Sequence, residues 1–260
     1  MISQTNSSNQ DEQVTTAEVL AEVERRMSSS SSSTSFTRGW QRKLVVLVNR
    51  FIFWLSRHWL AIFNALAFLY VGLPVLAPVL IHLGIKRPAM IIYAIYRPLC
   101  HQLPQRSWFL FGQQFAYTLP ELRQLTGAEI GSGLRAGAFI GNQAMGYKVA
   151  FCQRDTAIYG AIFLFGLLYA VGRRRIRPLP WWGYLLGLLP MAADGGYQFL
   201  SIAISIFFPD FSAHPYESTP LKRTVTGAIF GLVTIWLAYP YVQETMDEFR
   251  ATLHQRFGWE

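Results

Sequence analysis

Two short clusters carry the side chains most suited to chemistry, Cys100-His101 and Cys152-x-Arg154-Asp155. Thiolate binds zinc at about 2.3 Å and imidazole at about 2.0 Å, and a carboxylate completes a tetrahedron. Cys100, His101, Cys152 and Asp155 therefore make a sensible zinc set. The chain has two cysteines, which equally suit a Cys100–Cys152 disulfide in an oxidising compartment or free, reactive thiols. Spacing leaves all three readings open. A triad of Ser107, His101 and Asp155 has no support beyond chance spacing, and no phosphate loop, dinucleotide fingerprint or zinc-protease helix motif is present.

Asp194 is the second chemical feature. It lies within an otherwise apolar stretch, Trp181 to Phe208, that should cross a bilayer. A carboxylate at the centre of such a helix costs about 3 kcal/mol, so it faces a partner or a water-filled cavity. Gln198 lies one turn on, on the same face. Pro190 removes a backbone donor, and Gly195-Gly196 allows a bend or close approach; interrupted helices of this kind build sites inside membranes. The plainer alternative is that Asp194 pairs with Arg223 and locks the bundle. Asp194, His101 and Arg154 are the candidates for a catalytic role, with no reaction assigned.

These side chains need spans to position them. The chain is 260 residues, 52% hydrophobic and 15% charged, where soluble domains carry about 25% charged residues. The net charge of +8 does not indicate nucleic acid, because the basic residues cluster beside apolar spans as membrane anchors. The expected class is all-α: a polytopic membrane bundle of about four transmembrane helices, with outer re-entrant or surface helices. Residues 1–36 read as a flexible polar tail containing a short polar helix near 11–27 and the run Ser28–Ser33. No apolar core follows a basic leader near Met1, so insertion is expected to use the first span as a signal-anchor. Residues 37–58 read as an amphipathic juxtamembrane helix, 59–243 as the bundle, and 244–260 as a C-terminal tail. The spans are Trp59–Ile81, kinked at Pro74 and Pro78, then Thr156–Val171, Trp181–Phe208 and Thr224–Val242, each near the ~20 residues needed. Gly227 and Gly231 form a small-xxx-small packing stripe. Met90 to Leu99 is too short to span and reads as a re-entrant or surface helix; Leu119–Leu125 reads as a short helix in an outer loop.

Arg38, Arg42, Lys43, Arg50 and Arg57 precede the first span, and Arg173, Arg174, Arg175 and Arg177 join the second and third. The positive-inside rule makes that side cytoplasmic, with both termini there and the protein in the cell membrane. Residues 82–155 and 209–223 then lie outside, where Cys100, His101, Cys152, Arg154, Asp155, Asp194, Gln198 and Arg223 can converge on one outward cavity. His82 is expected to cap the first span at the interface, and His214 lies in an outer loop.

These residues also carry a family resemblance. Cys100-His101-Gln102-Leu103-Pro104-Gln105-Arg106-Ser107 resembles the Cys-His-Gln-x-Pro-x-Arg-Ser signature of a prokaryotic integral-membrane family known only as a domain of unknown function. Cys152-Gln153-Arg154-Asp155-Thr156-Ala157-Ile158-Tyr159-Gly160, Asp194-Gly195 with Gln198, and Arg223-x-x-Thr226-Gly227 continue it over roughly residues 90–242. The resemblance adds Gln102, Arg106 and Thr226 to Arg154, Asp194, Gln198 and Arg223 as an expected ligand pocket. Where that family often reads Cys-x-Arg-Cys, this chain has Asp155, which changes a ligand if the family's site is a metal centre. Residues 113–150 are longer than the family's connection and imply an added outer element.

The expected function is an outward-facing Cys/His/Asp/Arg pocket that binds a metal, zinc being the candidate cofactor, or a small ligand. The alternative is a structural or assembly subunit of a larger membrane complex, with a membrane-protein partner or a second copy. A small transporter fits less well, since no internal repeat is present.

Overall fold

The structure, a computed structural model, describes residues 21, 25, 39–126, 130, 133–172, 175–208 and 216–259. Most of the N-terminal tail with its serine run, Arg173, Arg174 and His214 lie outside the described residues. The chain divides into two compact units, Met1–Ile52 and Phe53–Glu260. In the first, the described residues 21, 25 and 39–52 are helical.

Six α-helices and a small sheet are formed among the described residues: α1 (Gly39–His82), α2 (Lys86–Tyr96), β1 (Ser107–Leu110), α3 (Leu119–Thr126), β2 (Gly141–Asn142), β3 (Gly146–Cys152), α4 (Gln153–Gly172), α5 (Trp181–Phe207) and α6 (Pro220–Phe257). The protein is thus predominantly helical, as a membrane bundle requires. Three of these helices, α1, α4 and α6, are long and apolar enough to cross a membrane. The fourth expected span, α5, has the length at 27 residues but is not among the three. Its middle carries Pro190, Asp194, Tyr197 and Gln198, which dilute its apolar run. α1 takes in both the 37–58 stretch and the first expected span. Large apolar side chains point away from the protein along α4 and α5, with Val171 92% and Phe207 76% exposed. Apolar surface on that scale needs lipid against it.

Local chemistry sets several boundaries. Thr118 and Glu121 form a reciprocal cap on α3: the Glu121 carboxylate accepts from the Thr118 N–H at 2.7 Å, and the Thr118 hydroxyl accepts from the Glu121 N–H at 3.5 Å. Thr219 caps α6 by accepting from the Lys222 N–H at 3.3 Å, and Pro220 opens the helix. Asn64 of α1 donates to the Gly166 carbonyl of α4 at 3.0 Å, a clasp between two spans. α4 and α6 pack almost backbone to backbone. A Cβ on Gly231 would sit 2.3 Å from the Ile158 carbonyl oxygen, and one on Gly227 2.7 Å from that of Arg154.

The sheet is an addition to the sequence expectation. Its strand order is β1-β3-β2, all antiparallel. Strand β1 buries Ser107 and Phe109 on alternate positions, while β3 is buried over most of its seven residues. One hydrophobic cluster joins α1, α2 and β3 through Ala77, Ile92, Tyr93, Tyr96, Cys100, Val149 and Phe151. A second, on Phe109, Tyr117, Leu122 and Met145, holds the 107–145 region together. A third lies at the other end of the bundle, on Trp59, Leu60, Phe165, Tyr169 and Tyr239.

Candidate functional site

The strand pairing assembles the sulfur cluster. Ser107 of β1 lies opposite Cys152 of β3, which returns the Cys100–Arg106 stretch to the start of α4. Cys100 follows the end of α2, its N–H bonded to the Tyr96 carbonyl at 3.0 Å. Cys152 immediately precedes α4, and its sulfur accepts from the Asp155 N–H at 3.4 Å. It therefore stands in the capping position of a 20-residue helix, with one backbone donor on its sulfur.

The sulfurs of Cys100 and Cys152 and a carboxylate oxygen of Asp155 all lie within 4.8 Å of one another. Both cysteines are free of a disulfide. Tetrahedral ligands around zinc stand roughly 3.5–3.8 Å apart, so a small inward movement closes this set on an ion. Cys100 is buried and Cys152 half-buried. The thiols titrate as a pair. The Cys152 thiol donates to Cys100 and holds the Cys100 thiol below its usual value against the opposing effect of burial. That same donation, with burial and the negative Asp155, pushes Cys152 up. His101 is exposed and is not part of the cluster, so the fourth ligand expected from the sequence is not supplied by it.

Gln102 and Lys148 fix the loop beneath Cys100. Gln102 adopts φ 51°, a left-handed conformation uncommon outside glycine. Its side chain donates to the Tyr93 carbonyl at 2.9 Å. The fully buried Lys148 amine donates to the carbonyls of Gln102 at 2.5 Å and Gly137 at 2.7 Å. Burial lowers the Lys148 pKa to about 7, with the charge of Cys100 pulling the other way. Sequence reasoning missed Lys148, because a lysine between two apolar strand residues carries no pattern that marks it as buried.

The remaining expected pocket residues fall into a separate polar network, and most bond to one another. Asp194 pairs with Arg154 at 2.5 Å rather than with Arg223, which corrects the alternative partner offered above. The geometry is specific: α4 and α5 are bridged by this pair, and a Cβ on Gly195 would come 3.0 Å from the Arg154 guanidinium. Asp194 also accepts from Tyr216 at 3.1 Å and from Ser218 at 2.7 and 2.8 Å. Arg154 keeps one buried nitrogen, Nε, without a partner among the described residues.

Arg223 pairs instead with Glu217, and donates at 3.4 Å to both the Gln105 carbonyl and Gln153. Glu217 also takes two bonds from Arg106, at 2.7 and 3.0 Å, and one from Gln198 at 3.4 Å. Burial raises the Glu217 pKa, but Arg106 and Arg223 outweigh it and hold the carboxyl below its usual value. Thr226 donates to the Lys222 carbonyl of its own helix at 2.8 Å. Glu217, Tyr216, Ser218 and Gln153 were not singled out in the sequence. They come from a loop and a helix start, where no periodicity places them opposite an arginine. His82 stacks on Phe111, with ring centroids 4.2 Å apart.

With this geometry in hand, comparison with known proteins gives two matches. The profile of the family described as "Predicted membrane protein (DUF2085)" matches residues 143–237, a span that holds Cys152, Arg154, Asp155, Asp194, Gln198, Arg223 and Thr226. Over that stretch the chain is similar to a membrane family without an assigned activity, the kind that the motifs resemble. Among curated proteins, the chain is 25% identical over 199 residues to the "Uncharacterized protein MJ1492" of Methanocaldococcus jannaschii, covering 76% of this chain and 90% of that one. No solved structure matches the chain.

Proposed function

We propose that this membrane protein binds a zinc-type divalent cation through Cys100, Cys152 and Asp155, with the fourth position left to water or a small ligand. The observation that carries this reading is the approach of three ligand atoms to within 4.8 Å, drawn from the end of α2 and the start of α4. Two thiolates and one carboxylate suit a borderline-soft ion. The open fourth position is the arrangement of a reactive rather than a closed structural centre. Asp155, standing where the resembling family often has cysteine, supplies the hard ligand. The site is assigned to the outer face of the cell membrane, with both termini cytoplasmic. Support for that orientation comes from Arg57, Arg175 and Arg177, all at the far ends of the spans. Elemental analysis of the purified full chain tests the reading. One ion per chain is expected, with loss in Cys100→Ser and in Asp155→Ala. A folded, metal-free protein with undiminished stability contradicts it.

A second reading has its own support. Every oxygen of Asp194 is engaged by Arg154, Tyr216 or Ser218, and Glu217 is held by two arginines. The network then acts as a clamp that ties the 216–219 segment to α4 and α5, and its role is assembly of the fold or of a larger complex. A folded but less stable Asp194→Asn that still binds one ion separates the clamp from the ion site.

A further inference from the structure

The opposite end of the bundle holds a cavity of about 430 Å³ lined by Phe53, Arg57, Asp247, Arg250, His254 and Trp259. Its depth can be read from the bond between Trp59 and Gln243 at 3.2 Å, which joins α1 and α6 where their apolar segments end. At 1.5 Å per residue, Arg57 lies ~3 Å beyond that level, Asp247 ~6 Å and Arg250 ~10 Å. The headgroup zone is roughly 5–8 Å deep on each side of the hydrocarbon, so the cavity begins within it at Arg57 and Asp247 and extends past its outer edge at Arg250.

Its chemistry is cationic and aromatic. Asp247, the one acid in the lining, is already engaged on both oxygens, by Gln243 at 2.9 Å and by Arg250. Arg57 has no carboxylate partner among the described residues. His254 holds the Trp259 carbonyl through Nδ1 at 2.5 Å, which leaves Nε2 for another group. Phe53 and Trp259 meet edge to face, centroids 6.0 Å apart, and form an apolar wall. Planar guanidinium groups recognise phosphate oxygens in fork geometry, and a tryptophan at this depth suits the lipid interface.

We infer that this cavity binds a phosphate group, that of an anionic phospholipid headgroup, between Arg57, Arg250 and His254. The inference is independent of the thiol cluster. α4 alone separates the two ends by ~30 Å, from Cys152 to the neighbourhood of Ile176, which packs against the Trp59 cluster.

The test is native mass spectrometry of the detergent-solubilised full chain, titrated with phosphatidylglycerol, phosphatidylcholine and inorganic phosphate. Phosphatidylglycerol is expected to be retained at least fivefold more tightly than phosphatidylcholine. Arg57→Gln alone should weaken it several-fold and Arg57→Gln/Arg250→Gln by about tenfold or more, on the scale of interfacial arginines. Lys86→Gln, at the start of α2 and beyond the far end of α1, should leave it unchanged. Phosphate binding as tight as phosphatidylglycerol supports the anion site and assigns a soluble source; tighter phosphatidylglycerol assigns the headgroup. Equal retention of the two lipids with no phosphate binding, or wild-type binding in the folded double variant, overturns the inference.

Discussion

Asp194 and Glu217 are each one carboxylate shared among several donors, and the two differ in what their loss should do. Asp194 is 8% and Arg154 17% exposed at the side chain, so removing one charge strands the other in a poorly hydrated place. Asp194→Asn should cost about 3 kcal/mol or more, read by thermal unfolding in detergent, and Arg154→Gln added to it should recover part of the loss. Glu217 is 45% exposed and its effect shows instead as pH dependence. Its pKa in the folded protein lies below the usual 4.5, so the unfolded chain binds more protons just below that pH. The contribution of Glu217 is complete above pH 4.5 and drains away as pH falls. Acid unfolding of wild type should therefore be steeper below pH 4.5 than that of Glu217→Gln; superimposable curves would contradict the pairing. Residue type alone made Asp194 stand out, because an acid in an apolar run is costly wherever it goes. Its partner was not legible, since Arg154 and Arg223 both sit at span mouths and only the rotation of α4 about its axis chooses between them.

Among the elements, the helices were legible and the sheet was not. Apolar runs of span length dictate α4, α5 and α6, whose observed bounds differ from the expected ones mainly by extension into polar flanks. The strands have four, two and seven residues. Runs as short as Trp108–Leu110 and Tyr147–Phe151 do not distinguish strand from buried loop. That omission matters chemically, because the Ser107–Cys152 register is what returns Cys100 to Cys152. The α4–α6 contact follows from the Gly227/Gly231 stripe and yields a test. In Gly231→Ala the new methyl meets the Ile158 carbonyl, a backbone atom that cannot swing aside. Stability should fall by about 1–3 kcal/mol, whereas Gly160→Ala, with open space around it, should change little. Equal effects would place the close contact elsewhere.

Across the whole molecule, a sulfur and carboxylate cluster lies at one end of the bundle and a cationic cavity at the other. The number of crossings decides how the termini relate. If α5 crosses with α1, α4 and α6, tags at the two termini should be protease-accessible from the same face of sealed vesicles; three crossings would put them on opposite faces. The ion site itself is best probed with cobalt, whose thiolate bonds give a charge-transfer absorption in the near ultraviolet. Titration of the reduced full chain should saturate at one equivalent and develop that absorption, in wild type and His101→Ala alike, and should lose it in Cys152→Ser. No thiolate absorption in folded wild-type protein, or an undiminished signal in Cys152→Ser, would mean that Cys100, Cys152 and Asp155 do not hold an ion.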